Sequence, residues 1–193
     1  GYAVVGTVSG TTPSYGTQVE FDDSGACRQI NVAFDPNTEN KFVVVYQDYG
    51  NSSYGTACVG TISGTSVSFG SEVVFNSAST FYCDIAFDKD AAGKCVITYS
   101  DQGNSSYGTA IVGTVSGTSI SFGTEVVYES AGSNYTCIAS DPFNANKFVL
   151  AYQDTGNSNY GTAIVGTMSG TSISFGTPAV WLTGAHSMVS VDC

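Results

Sequence analysis

The chain has 193 residues, of which 11% are charged, and a formal net charge of −11 with five basic side chains: Arg28, Lys41, Lys89, Lys94 and Lys147. So few cations argue against nucleic acid, whose phosphates need clustered Lys and Arg, and equally against an anionic membrane surface. Twelve per cent aromatics among 23 glycines argues against disorder and predicts a β-rich, extracellular chain.

The first element is a β-type run, GYAVVGTVSG (Gly1–Gly10), and its words return along the chain. Gly60, Gly113 and Gly166 stand 53 residues apart, as do Asp48, Asp101 and Asp154, while Gly6 is one residue off that register. A fixed period of this size announces a repeat architecture. It divides the single domain, 1–193, into units at about 1–53, 54–106, 107–159 and 160–193, the last incomplete.

Each unit predicts four short strands, shown here for the third. Run a is Gly108–Gly117, and Thr118 follows in a tight turn; run b is Ser119–Glu129. A Ser/Gly/Asn-rich loop leads to run c, Tyr135–Asp141, and the loop PFNAN to run d, Lys147–Asp154. β-Branched and aromatic enrichment with Gly/Asn punctuation marks strands joined by hairpins, and no helical period is sustained anywhere. Small residues in run a suit close approach to a neighbour, and the continuously apolar run d suits a strand covered on both faces. The expected fold is all-β, made of four-stranded antiparallel units in a propeller-like arrangement, with a stacked β-sheet array or a sandwich as the alternatives. Run c of the last unit, Ser187–Cys193, is followed by no run d, which predicts unpaired edges available to a neighbour. With no Met at position 1, no signal peptide and no long apolar run, the chain reads as a mature product or a fragment.

Six cysteines in no metal-binding spacing argue against zinc and are compatible with disulfides, although six allow fifteen pairings. Cys58 and Cys95 stand where the sister units carry Ile or Phe, so these two are expected to be buried thiols.

The most repeated word is D-x-G-N-S: Asp48, Gly50 and Asn51; Asp101, Gly103 and Asn104; Asp154, Gly156 and Asn157. It resembles the Asp-box hairpin of sialidase-type propellers in its D-x-G core, with the aromatic (Tyr54, Tyr107, Tyr160) one place late. The resemblance implies a structural loop, in which the Asp carboxylate accepts N–H groups of its own turn and the glycine supplies a positive φ. No cofactor is expected; Ca²⁺ held by these loops is the sharper alternative, disfavoured by one carboxylate per loop. Sequons make Asn51, Asn104 and Asn134 candidate N-glycosylation sites.

No catalytic residues are legible. His186 has no nucleophile or carboxylate partner around it, one arginine is too few for sialidase-like chemistry, and the pairs Asp22/Asp23 and Asp88/Asp90 read as loop charges rather than a glycosidase dyad. Tyr49 and Tyr54 could stack on a sugar. The word VGT-V-SGTSISFGTEVVF is similar to repeats of secreted or virion-associated β-repeat proteins of aquatic bacteria and phages, which implies an extracellular, structural or adhesive role. The expected function is a non-enzymatic extracellular structural protein whose copies associate through exposed strand edges into a homo-oligomer or filament. The alternative is a carbohydrate-binding, lectin-like or phage receptor-binding propeller module.

Overall fold

The computed structural model describes residues 1–184. It is all-β, mostly one large antiparallel sheet, and no closed barrel forms. A pair, β1 (Tyr2–Ala3) with β4 (Val19–Glu20), and a hairpin, β2 (Gly6–Ser9) with β3 (Thr12–Tyr15), precede it. Then come β5 (Cys27–Phe34), β6 (Lys41–Asp48), β7 (Tyr54–Ser63), β8 (Ser66–Phe69), β9 (Val73–Phe87), β10 (Lys94–Asp101), β11 (Tyr107–Ser116) and β12 (Ser119–Phe122). β13 (Val126–Ser140), β14 (Lys147–Asp154), β15 (Tyr160–Ser169), β16 (Ser172–Phe175) and β17 (Ala179–Leu182) complete it. Two 3-10 turns, Gln102–Asn104 and Thr155–Asn157, are the helical content of the described residues.

Runs d and a form as expected. β6 and β7 pair from Lys41 with Thr61 to Asp48 with Tyr54, and the same register joins β10 to β11 and β14 to β15. Each hairpin is pinned at its far end by a lysine Nζ donating to a threonine hydroxyl: Lys41 to Thr61, Lys94 to Thr114, Lys147 to Thr167. The tight turn after run a needs a left-handed residue, which Gly64, Gly117 and Gly170 supply at φ near +60°.

Runs b and c depart from expectation. Run b is not one strand: it breaks after Phe122 and resumes at Val126. The Ser/Gly/Asn stretch after it is not a loop, because β13 runs unbroken to Ser140, and β9 does the same to Phe87. The backbone groups of that stretch have partners: Gly132 pairs with Tyr107, Ser133 with Asp154 and Asn134 with Gln153. β9 thus begins beside β7 and ends beside β10, and positive φ at Tyr82 and Tyr135 marks bulges within the pairing to β10 and β14, a few residues after β9 and β13 have changed partner. The last run c and His186 lie outside the described residues.

The strands that β9 and β13 link lie face to face. Val43, Val45, Ala57 and Val59 of β6 and β7 form one core with Ile85 and Phe87 of β9 and Cys95, Ile97 and Tyr99 of β10. Val96 of the same β10 points the other way, into a second core with Ile138, Phe148, Leu150 and Tyr152. Burying a Val, Ile or Phe side chain contributes about 1.5–3 kcal/mol, and β6, β10 and β14 are buried along nearly their whole length. Polar contacts cross the same gap: Asn31 Nδ2 donates to the Cys83 carbonyl at 2.7 Å, and the Ile138 N–H donates to Asp84 Oδ2 at 2.9 Å.

No disulfide is present among the described residues, which corrects the expectation of a disulfide framework. Cys58 and Cys95 are buried thiols, as their sister Ile and Phe positions suggested. Apolar packing, not a bridge, accounts for the cysteines in these cores; Cys83 Sγ instead meets the Gln29 carbonyl at 3.1 Å.

Candidate functional site

The three D-x-G-N-S words form the turns from β6 to β7, β10 to β11 and β14 to β15. Asp48 Oδ1 accepts the Asn51 N–H, Asp101 Oδ1 the Gly103 N–H and Asp154 Oδ1 the Asn157 N–H, at 2.9, 2.9 and 3.1 Å. The positive φ in these turns falls on Ser52 and Ser53, Ser105 and Ser106, and Ser158 and Asn159, not on the glycines. The glycines serve close approach instead: a Cβ at Gly50 would sit 2.2 Å from the Ser24 carbonyl oxygen, at Gly103 2.5 Å from Ala78 Cβ, and at Gly156 2.4 Å from Ala131 Cβ. Asn51, Asn104 and Asn157 are exposed; Asn134 is half-buried in β13 and donates through Nδ2 to Gln153 Oε1 at 3.2 Å.

The copies differ in what faces the Asp. Strand pairing aligns Asp22, Asn76 and Glu129, which stand opposite or hydrogen-bonded to Gly1, Gly55 and Gly108. In the second copy the Asn76 amide donates to Asp101 Oδ1 at 3.1 Å. In the third, Glu129 Oε2 accepts the Tyr152 hydroxyl at 3.1 Å. In the first, Asp22 meets Asp48 and Glu72, with ligand oxygens of all three within 4.8 Å of one another. Asp22 and Asp48 are buried and Glu72 is exposed.

The electrostatics of this cluster are strained. Burial opposes the charge on Asp22, but the Ser24 hydroxyl and N–H and the Gly1 ammonium outweigh it and hold that carboxyl below its ordinary value. Burial, then repulsion from Asp22, Asp48 and Asp23, pushes Glu72 up, against a contact from the Tyr46 hydroxyl. A cleft of about 600 Å³ lined by Glu20, Asp22, Asp23 and Glu72 opens beside it. The pair Asp88/Asp90 is split differently, since Asp88 is buried and its Oδ1 accepts the Asp90 N–H at 2.8 Å. Of the aromatics suited to sugar stacking, Tyr49 already has the Arg28 guanidinium over its ring, 4.4 Å from the centroid.

A second candidate surface is apolar. Ile30, Val32 and Phe34 on edge strand β5 are 47, 55 and 58% exposed, whereas Ile85 and Phe87, one period on, are 5 and 4% exposed. They border a cleft of about 390 Å³ shared with Tyr2, Val4 and Phe42. Near the other end of the strand order, on β15, Val165 is 47% exposed while its counterparts Val59 and Val112 are buried.

No protein-family model matches this chain, and neither does any curated protein or any solved structure.

Proposed function

We propose that the chain is a non-enzymatic extracellular structural protein whose copies stack head to tail into a filament or surface assembly. One observation carries this reading. The side chains that bury Ile85 and Phe87 against Val43, Val45 and Val59 inside the chain have exposed counterparts on both outer faces: Val32 and Phe34 on one, and Val165, with half-buried Val149 and Ala163, on the other. A second copy brings to each face the surface that the internal interface already fits, so the contact is heterologous and propagates unless the rotation closes a ring. Exposed apolar patches of this kind mark interaction surfaces. The finer architecture, 53-residue units stacked as an array or wound as a propeller, belongs to the same proposal, as does a role for glycans at Asn51 and Asn104.

Sedimentation velocity over a wide concentration range tests the reading. Species that grow with concentration, and that Val32→Glu reduces to a monomer, are expected. A single 20-kDa species at every concentration would overturn it.

A further inference from the structure

We propose that Asp22, Asp48 and Glu72 form a calcium site in the first copy of the repeated loop. The inference is independent of head-to-tail assembly and rests on the contrast between one loop and its sisters.

Two buried carboxylates are brought together here without enough donors. The Ser24 hydroxyl lies 2.6 Å from Asp22 Oδ1 and 2.5 Å from Asp48 Oδ1, but its single proton can serve only one of them. The second copy avoids the problem, because Asn76 replaces the first carboxylate and supplies an N–H to Asp101. Crowding like charges at a buried site is costly, and a cation shared among the three carboxylates would offset that repulsion.

The Tyr46 hydroxyl points to the same conclusion. Tyr46 is wholly buried and its hydroxyl faces Glu72 without closing a well-formed hydrogen bond to any protein atom; Tyr99 faces Glu125 in the same way in the second copy, where only the Asn76 position lacks a carboxylate. The Tyr46 oxygen is one more neutral ligand or water anchor at the edge of the cluster.

Charge and ligand type select the ion. Each of the three carboxylates offers an oxygen within 4.8 Å of the others, close enough for one cation to reach all three. Three carboxylates so close together carry more negative charge than a monovalent ion neutralises, which favours a divalent one. Calcium accepts mixed carboxylate, hydroxyl and water ligands in flexible geometry, whereas magnesium demands a near-ideal octahedron. The acidic cleft beside Glu72 gives entry and room for the water ligands.

Isothermal titration calorimetry of the chelator-stripped full chain with calcium chloride tests the site. The wild type should bind one ion per chain and melt several degrees higher with calcium than with EDTA. Asp22→Asn installs the amide that the second copy uses, so it should keep the fold, lose at least ~10-fold in affinity and melt at a temperature that calcium no longer moves. Asn76→Asp should raise the stoichiometry above one by completing an equivalent set with Asp101 and Glu125. Absence of binding to the wild type at millimolar calcium, or unchanged affinity in Asp22→Asn, would overturn the proposal.

Discussion

Asp35 Oδ2 accepts the Gly93 N–H at 2.9 Å across the gap between neighbouring layers, while its Oδ1 accepts the Asn37 N–H of its own loop. Asp88 repeats the bridge one period on, to the Asn146 N–H at 2.6 Å and to Asp90 in its own loop. Asp141 makes only local bonds, to Phe143 and Asn144. Asp35→Ala or Asp88→Ala should therefore leave two N–H groups without partners and cost about 2–4 kcal/mol in urea unfolding. Asp141→Ala should cost clearly less, and equal losses at all three would refute the bridging role.

Three glycines mark the closest approach of neighbouring layers. A Cβ at Gly16, Gly70 or Gly123 would fall 1.9, 1.8 or 1.8 Å from the carbonyl oxygen of Thr65, Thr118 or Thr171, but at Gly176 the nearest oxygen is 3.7 Å away. Gly70→Ala and Gly123→Ala should each cost about 1–3 kcal/mol by prising backbone from backbone. Gly176→Ala should stay within about 0.5 kcal/mol of wild type, as surface changes do. Thermal melts of the three variants check the pattern.

The thiols should be silent until the chain unfolds. Burial pushes Cys58, Cys83 and Cys95 up to about 12, so the reactive thiolate is scarce at neutral pH. Ellman's reagent at pH 8 should label these three only after guanidinium is added, with half-buried Cys27 the readier to react. Rapid labelling of Cys58, Cys83 or Cys95 in the native protein would contradict this burial.

Alkali should unfold the protein abruptly. Burial, reinforced by neighbouring acidic groups, pushes Tyr46, Tyr99 and Tyr152 far above their ordinary value, and burial raises Tyr128 to about 12 although the Ser133 and Thr98 hydroxyls act against it. These groups are protonated in the native state and ionise near their ordinary values when unfolded. Their stabilisation is complete below about pH 9 and is lost as pH rises from about 10 towards 12. Tyrosinate absorbance near 295 nm should rise together with loss of the β-sheet signal; a smooth titration at about pH 10 with the sheet intact would contradict this burial.

Strands β6, β7, β10, β11, β14 and β15 were legible in the sequence because β-branched and aromatic enrichment bounded by Gly/Asn turns is a local signal. β9 and β13 were not, since Ser130, Gly132 and Asn134 carry loop chemistry and become strand only by pairing with β11 and β14, a tertiary effect. The same limit hid the carboxylate cluster. Asp48 stood out as a repeated residue, but Asp22 and Glu72 come from other strands and meet it only in the folded sheet. The signal that could have found it is a break in the repeat: Asp22 stands where its sisters have Asn76 and Glu129.

Head-to-tail stacking is tested most directly by complementation of two blocked faces. Val32→Glu disables one face and Val165→Glu the other, each leaving its opposite face intact. Alone, both variants should sediment as 20-kDa monomers. Mixed in equal amounts they should form a dimer of about twice that mass and nothing larger, because only one productive contact remains per pair. Association by either variant alone, or no association in the mixture where the wild type assembles, would contradict the stacking of unlike faces.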